Sequence, residues 1–386
     1  MGRSSPVNTP AVENAEPAVE QAAELPRTLG VEEEFLVVDP ESGAPSGRGP
    51  AVLAGATDLD PRHSFHPELL TSQAEAATGV CTSSAQLRGQ LRSARERMSR
   101  AAQAEGLALI SSGTPPFLGE PGAISPGTRF TRIAQTYRAV VTDYQACGCH
   151  VHVGVPDREK AVAVINHLHP WLPSLLAMSA NSPFHLGADT GYASWRMVQQ
   201  TRFPGSGIPP RFRSAAEHDE QVARLVECGV LVDEAMSFWL ARPSPHLPTI
   251  ELRVADAATT VGEALLQAVV TRALVRTAQR ELDAGREAPE IDPRLEQAAV
   301  WTAARHGLDG PGIDLVAQRR VQSAELVHRM IRWAAPELEE TRDLATVRKL
   351  IAGLLHCGTG ARRQRAAAAR GDRALLAAIR LEGGVR

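Results

Sequence analysis

The sequence contains almost no lysine. Of its 41 basic residues only Lys160 and Lys349 are lysines, so the other 39 are arginines. Neither lysine follows a glycine-rich loop, and the G-x-x-x-x-G-K-[ST] pattern of a Walker-type phosphate-binding loop does not occur. The V-A-I-K strand of protein kinases is also missing. The sequence therefore excludes these two lysine-based ways of holding ATP.

Cysteines are few, and aromatic residues make up only 4 % of the chain. The five cysteines are irregularly spaced, which argues against a disulfide framework and favours a reducing compartment, so we expect a cytoplasmic protein. No run of roughly 18 apolar residues could span a membrane, and residues 4–27 lack the apolar segment of a signal peptide. The formal net charge is only −3, so no global basic field favours a nucleic acid or a membrane surface as a partner.

Hydrophobic residues make up 43 % of the chain, enough for a sizeable and mainly aliphatic core. Residues 1–27 are rich in Ala, Glu, Pro and Ser and are predicted to be a disordered tail. Residues 28–386 are predicted to form a single domain, in which residues 44–64 are mostly loop. Strand-like segments come early and helical segments late, without regular alternation, which favours an α+β fold with an antiparallel β-sheet.

The first predicted strand, Leu29 to Asp39, carries acidic residues on one face. Side chains alternate across a strand, so Glu32 and Glu34 share a face, while Glu33 intrudes on the opposite, apolar one. Neighbouring carboxylates repel each other unless a cation or a proton relieves the repulsion. A cation site and an exposed acidic edge are the two interpretations of this pattern.

The predicted strand from Ala146 to Val155 divides more cleanly. His150 and His152 lie on one face with glycines, whereas Cys147 and Cys149 lie on the apolar face. A zinc site that combines histidines and cysteines is therefore disfavoured. The flanking glycines would leave room for a ligand close to the backbone. Histidines hydrogen-bonded on a solvated sheet face are the alternative.

Two further segments carry acidic residues. In the predicted strand from Thr249 to Val254, Glu251 and Arg253 share the polar face, and a surface ion pair is the alternative interpretation. Glu68 and Glu75 are seven residues apart, which would put them on one side of a helix but not of a strand.

Taken together, these segments predict a polar sheet floor with several carboxylates, one or two histidines and an arginine. Hard oxygen ligands favour Mg²⁺ or Mn²⁺ over zinc. Handling polyphosphate is the metal-dependent task that suits such a floor best.

A series of motifs, in consistent order over roughly residues 28–370, resembles the glutamate–cysteine ligase type 2 family of bacterial carboxylate–amine ligases. The motifs are TLGVEEEF at 28–35, CGCHVHVG at 147–154, SANSPF at 179–184, DTGYASWR at 189–196, RPSP at 242–245, TIELR at 249–253, WTAARHGLDG at 301–310 and GARRQR at 360–365.

This resemblance implies an antiparallel sheet bowl flanked by helices, similar to the catalytic fold of glutamine synthetase and guanidino kinases, that holds ATP and Mg²⁺ or Mn²⁺. The implied enzyme joins a small-molecule carboxylate to an amine through an acyl phosphate and releases ADP and phosphate. The size of the chain is compatible with a homodimer.

The resemblance also implies roles for individual residues. The implied metal ligands are Glu32, Glu34, Glu75, Glu251 and His150. Arg253 and Arg196 are the implied catalytic residues, because guanidinium groups match both phosphoryl groups and carboxylates. The implied substrate- or nucleotide-binding residues are His152, Glu68, Arg242 and Tyr192.

The sequence departs from the family pattern at several places. Leu240 stands where an acidic residue is common, Ala146 where glutamine is frequent, and His185 where tryptophan is frequent. These differences bear on the use of glutamate and cysteine more than on the use of ATP. Two alternatives stay open: a small-molecule phosphotransferase on the same fold, and a non-catalytic binding protein on a decayed ligase scaffold.

Overall fold

The computed structural model describes residues 27–57 and 62–381, so the predicted disordered tail lies outside the described residues except for Arg27. The strands are β1 (Leu29–Val38), β2 (His63–Pro67), β3 (Gln73–Thr78), β4 (Ala108–Ile110), β5 (Gly148–Gly154), β6 (Phe184–His185), β7 (Ala188–Asp189), β8 (Ser206–Gly207), β9 (Phe238–Trp239), β10 (Ala241–Pro243), β11 (Thr249–Asp256), β12 (Pro311–Asp314) and β13 (Arg319–Gln322).

The helices follow mainly in the second half of the chain. They are α1 (Gly49–Ala56), α2 (Ser84–Ala104), α3 (Thr128–Tyr137), α4 (Ala139–Thr142), α5 (Arg158–Leu168), α6 (Leu172–Ser179), α7 (Trp195–Gln200), α8 (Ala215–Glu227), α9 (Val261–Asp283), α10 (Pro293–His306), α11 (Ser323–Glu340), α12 (Leu344–Cys357), α13 (Gly360–Ala368) and α14 (Asp372–Ile379). Among the described residues, no helix combines the length and apolar character that crossing a membrane requires.

Seven strands form one sheet in the order β10-β11-β5-β1-β3-β2, and β4 pairs with the end of β1. Every pair in this sheet is antiparallel. The predicted α+β fold with an antiparallel sheet is therefore confirmed. The three predicted strands with polar faces are β1, β5 and β11, which are neighbours at the centre of the sheet.

One face of the sheet packs against helices. Val31, Val151 and Leu252 project from the three central strands into a core that includes Val269 and Leu274 of α9. Burying each aliphatic side chain of this kind contributes on the order of 1.5–3 kcal/mol. Because these side chains point into the core, the residues that alternate with them along each strand point to the opposite face.

Helix boundaries follow local signals where those signals are strong. Ser83 caps α2 and Asp157 caps α5, each accepting a hydrogen bond from a backbone N–H of the first turn. A 3₁₀ turn at His169–Trp171, which contains Pro170, separates α5 from α6, and Pro173 lies in the first turn of α6.

One expectation about local structure was wrong. The predicted loop over residues 44–64 contains α1, an eight-residue helix whose Val52 and Leu53 pack against Met98 of α2, so tertiary packing and not amphipathic periodicity stabilises it. Neither of the two geometries considered for Glu68 and Glu75, one helix or one strand, is formed, because Glu68 follows β2 and Glu75 lies in β3.

An ion pair with Arg95 explains why Glu33 lies on the apolar face of β1. Its carboxylate accepts hydrogen bonds from Nε and Nη2 of Arg95 at 2.9 and 2.6 Å, and both side chains are buried. Arg95 also donates to the carbonyl oxygens of Ala258 and Thr259, just before α9. The ion pair therefore ties β1 to α2 and to the start of α9.

We expect Glu33→Gln to destabilise the fold by about 3–5 kcal/mol, because it leaves the buried Arg95 charge without a partner. Urea unfolding followed by circular dichroism measures the change. Glu41→Gln, at an exposed position after β1, is the matched control and should stay within about 0.5 kcal/mol of wild type. A Glu33→Gln variant as stable as the control would contradict this account of the ion pair.

Candidate functional site

The strand register places the polar side chains of the sheet side by side. Glu34 lies opposite Glu75 of β3, and Glu32 lies opposite His150 of β5. His152, two residues farther along β5, lies opposite Glu251 of β11. Directly opposed side chains on one face are about 4.5–5.5 Å apart at Cβ, so these groups contact one another. The predicted sharing of faces on β1, β5 and β11 is confirmed.

Three carboxylates form one group. Oxygens of Glu34, Glu68 and Glu75 all lie within 4.8 Å of one another. Burial and the charge of Glu34 raise the pKa of Glu68 to about 7. Burial and the charge of Glu68 raise the pKa of Glu75 well above its ordinary value. A cation between these oxygens would relieve the repulsion that raises both values.

The second group consists of Glu32, His152 and Glu251, whose ligand atoms also lie within 4.8 Å of one another. Burial disfavours the charged form of Glu32, but hydrogen bonds from His150 and His152 outweigh it and lower the pKa. Burial likewise opposes ionisation of Glu251, and the charges of Arg253 and Arg242 hold its pKa well below the ordinary range.

Both groups fit a divalent cation. The first offers only carboxylate oxygens and the second adds one imidazole, which is the donor chemistry that Mg²⁺ and Mn²⁺ accept. In the second group Nδ1 of His152 bonds to Oγ1 of Thr249 at 2.9 Å. Its Nε2 is buried and lies 3.1 Å from Oε1 of Glu32. This nitrogen is therefore oriented by Thr249 and left open towards the carboxylates.

His150 lies between the two groups. Its Nδ1 is 3.4 Å from Oε2 of Glu32, and its Nε2 is 3.6 Å from Oε1 of Glu34. Burial and the charge of Arg253 lower the pKa of His150 to about 4. The imidazole is therefore neutral near pH 7 and can accept a hydrogen bond or a metal.

Two arginines, the buried Arg196 and the partly buried Arg253, supply the positive charge. Nη1 of Arg253 pairs with Glu251, and its Nε is buried without a partner among the described residues. Arg196 is only 1 % exposed; its Nη2 lies 3.2 Å from the carbonyl oxygen of Arg253 and 3.4 Å from Nε2 of His150. Nε and Nη1 of Arg196 form no hydrogen bond with a described residue.

Gly148, at the start of β5, leaves room for a side chain of the protein and not for the ligand that the sequence predicted there. A Cβ at this position would lie 2.9 Å from Cζ of Arg196 and 2.9 Å from Nε2 of His150. The glycine therefore leaves room for the guanidinium of Arg196, a group of the protein itself. Its backbone N–H also donates to Oε2 of Glu34 at 2.5 Å.

A cavity of about 120 Å³ lies over these groups. Its polar lining includes Glu34, Glu68, His150, Arg196 and Arg253. The neighbouring Glu32, Glu75 and Glu251 belong to the same site, and His152 joins them through Glu251 and Glu32. The structure therefore brings nine of the eleven predicted residues into one site.

The other two predicted residues have different surroundings. Nε of Arg242 bonds to Oε2 of Glu251 at 2.8 Å, and its Nη1 donates to two backbone carbonyls, so its donors are directed at the protein. Tyr192 is not brought to the acidic groups; its hydroxyl accepts a hydrogen bond from Nε1 of Trp301 at 3.2 Å. The roles predicted for Arg242 and Tyr192 in substrate or nucleotide binding stay predictions.

Sequence reasoning missed Asp256. Asp256, fully buried at the end of β11, accepts hydrogen bonds from the hydroxyls of Ser182 and Ser194, and its Oδ1 is 3.9 Å from Nη1 of Arg196. The signal that could have identified Asp256 in the sequence was an acidic residue at the apolar end of a predicted strand. Leu240, which stands where an acidic residue is common in the family, is 0 % exposed and lies in the helix-facing core; its effect on substrate recognition stays a prediction.

The cation affinity of the site should depend on pH. Because a metal must displace the proton that Glu68 holds below a pKa of about 7, we expect Mn²⁺ affinity to fall about tenfold per pH unit below that value. Calorimetry at about pH 6 and pH 8 measures this difference, and Glu68→Gln should flatten it. Equal Mn²⁺ affinity of the wild-type protein at both pH values would contradict the assignment.

Comparisons with known proteins agree with this architecture. Residues 28–377 match the sequence profile of the family described as glutamate-cysteine ligase family 2 (GCS2). The chain is 57 % identical over 347 residues to a Saccharopolyspora erythraea protein with the printed name "Putative glutamate--cysteine ligase 2-2", and the alignment covers 89 % of each chain.

Two solved structures share the fold at low identity. Glutamate–cysteine ligase from Francisella tularensis in complex with AMP aligns with a TM-score of 0.64 at 12 % identity, covering 91 % of this chain and 87 % of that one. The Pup ligase PafA in complex with ADP aligns with a TM-score of 0.50 at 14 % identity, covering 98 % and 76 %. The family resemblance drawn from the motifs is confirmed: the chain belongs to glutamate–cysteine ligase family 2, a family of amide-bond-forming ligases.

Proposed function

We propose that the protein is an ATP-dependent carboxylate–amine ligase that works through an acyl phosphate. The observation that carries this proposal is the clustering of five carboxylates with the buried Arg196 and the partly buried Arg253 on one face of the sheet. The AMP and ADP complexes of the two structural neighbours support nucleotide use at this fold. The names of the family and of its relatives support glutamate and cysteine as the first substrate pair to test.

The chemistry explains why such a site is needed. A carboxylate is a poor electrophile because its leaving group would be oxide. Transfer of the γ-phosphoryl group of ATP to a carboxylate oxygen gives an acyl phosphate and ADP. The amine nitrogen then attacks the carbonyl carbon, the C–O bond to phosphate breaks, and the nitrogen loses a proton. The products are an amide, ADP and inorganic phosphate.

In this proposal the two acidic groups hold divalent cations, which the family implies. Glu34, Glu68 and Glu75 would hold one, and Glu32, His152 and Glu251 the other, with His150 between them as a further ligand or a phosphate contact. Mg²⁺ or Mn²⁺ would neutralise and align the phosphates of ATP during transfer. Carboxylates and imidazole nitrogens are the groups of this chain that fit that task.

The arginines would act on the transferred group and on the substrate. Nε of Arg253 and Nε and Nη1 of Arg196 are buried donors without described hydrogen-bond partners, at the cavity over the carboxylates. A phosphoryl group or a carboxylate in the cavity would satisfy them, because each offers paired anionic oxygens. Arg242 would position Glu251, since its donors are already engaged with this carboxylate and with the backbone.

The remaining expectations belong to the same proposal. The described residues from Thr28 onward would act as one catalytic domain in the cytoplasm. Its partners would be small molecules, with neither nucleic acid nor membrane involved. A homodimer is part of the proposal only as an expectation from chain size.

The reaction can be tested with the purified protein, Mg-ATP and a matrix of carboxylates and amines that includes glutamate plus cysteine. We expect ADP release that requires both partners, because the acyl phosphate is consumed only by the amine, and we expect an amide product by mass spectrometry. A stable phosphorylated product without an amide would instead identify a phosphotransferase. Absence of Mg-ATP binding in a titration would favour a non-catalytic binding protein.

Glu34→Gln and Glu251→Gln should each lower turnover by at least about a hundredfold, because each removes a charge that fixes a cation against the transferred phosphoryl group. Steady-state ADP release measures the loss, and circular dichroism checks that both variants fold. Glu41→Gln, exposed and remote from the site, is the control and should keep wild-type turnover. Wild-type turnover in both folded variants would contradict the site assignment.

A further inference from the structure

A second and larger cavity lies apart from the acidic groups. It encloses about 1030 Å³ and lies between α7, α10 and the loops at residues 206–211 and 289–291. Its walls are mainly apolar and include Tyr192, Met197, Ile208, Ile291, Val300 and Trp301. The Trp301 side chain is 53 % exposed, an unusual state for so large an apolar ring. A concave, mostly apolar cavity of this size matches the general features of small-molecule sites.

One carboxylate faces this cavity. Glu296 of α10 lines it, and the side chain is only 10 % exposed. Its Oε1 accepts a hydrogen bond from Nδ1 of His169 at 2.8 Å. Its Oε2 accepts no hydrogen bond from a described residue. The cavity therefore contains a nearly buried acceptor with an open position.

His169 contacts this carboxylate through one ring nitrogen only. Nε2 of His169 is buried and has no hydrogen-bond partner among the described residues. The ring therefore faces Glu296 through Nδ1 and does not reach the second carboxylate oxygen.

The two arginines that line the cavity lie near carboxylates outside it. Nη2 of Arg211 lies 3.8 Å from Glu287, and Nε of Arg294 lies 3.2 Å from Asp292. Glu296 is the only carboxylate among the described residues that line the cavity.

We propose that this cavity binds an organic amine with an apolar or aromatic body. The protonated amine would donate to the open oxygen of Glu296, and the body would contact the apolar walls. The exposed ring of Trp301 at the wall favours a nearby cation through its π face. A carboxylate ligand of the same shape would be repelled, and a neutral ligand would leave the charge of Glu296 without a counter-ion.

The two cavities share α7. Arg196 and Gln200 line the cavity over the acidic groups, whereas Met197 and Val198 line the larger one. An amine in the larger cavity would therefore contact the helix that carries Arg196. The proposal does not rest on ligase activity, since binding can be measured without turnover.

Isothermal titration calorimetry of the whole chain with three probes of similar shape tests the proposal. The probes are 2-phenylethylamine, 2-phenylethanol and 3-phenylpropionate. We expect the amine to bind at least about tenfold more tightly than the alcohol, as a charge-assisted hydrogen bond provides, and the carboxylate to bind more weakly still. Equal affinities for the three probes, or no binding of the amine, would overturn the proposal.

Substitutions locate the binding. Glu296→Gln should weaken amine binding at least about tenfold and leave alcohol binding unchanged, whereas Glu290→Gln, at an exposed nearby position, should change neither. Trp301→Ala, at a ring that is 53 % exposed, should weaken binding of both probes. This variant keeps the test decisive if Glu296→Gln fails to fold. Amine binding unaffected by Trp301→Ala and by a folded Glu296→Gln would overturn the proposal.

Discussion

Repulsion among five carboxylates on one face of a sheet is the constraint on which the rest of this structure depends. Glu34, Glu68 and Glu75 have raised pKa values, whereas Glu32 and Glu251 have lowered ones. The division follows the positive charges. The first three crowd together, while the other two receive hydrogen bonds or ion pairs from histidines and arginines. A proton or a cation between the first three carboxylates relieves their repulsion. The other two stay ionised because histidines and arginines are held beside them.

The supports of the site lie on both faces of the sheet. Behind it, the ion pair between Glu33 and Arg95 anchors β1, so that the residues on either side of Glu33 keep their orientation. In front of it, Asp256 accepts hydrogen bonds from Ser182 and Ser194, which flank the loop that leads into α7. This loop positions α7 so that the guanidinium of Arg196 lies over the backbone of Gly148. The same helix then forms a wall of the larger cavity, so one short element serves two cavities with different chemistry.

Local patterns predicted much of the site because the alternation of side chains is a property of each extended strand. Glu32 and Glu34, or His150 and His152, must share a face wherever their strand lies. Glu68 could not be placed in this way, because its position beside Glu75 depends on a bend between strands. Helix α1 was missed because its stability comes from packing on α2. Tyr192 lies in a family motif yet lines the other cavity, since it belongs to the loop before α7, and adjacency in sequence does not fix where a loop side chain points.

By itself, the sequence determined the faces of the three central strands, the caps of the long helices, the antiparallel α+β class and the family. These follow from spacing over a few residues and from motifs in order. Only the tertiary structure decided that β5 lies between β1 and β11, that Glu34 faces Glu75 and His152 faces Glu251, and that Leu240 is core. It also decided that the carboxylate of Glu296 opens into a cavity. The physical reason is that strand register and cavity walls arise from contacts between residues tens to hundreds of positions apart, for which a single sequence carries no local signal.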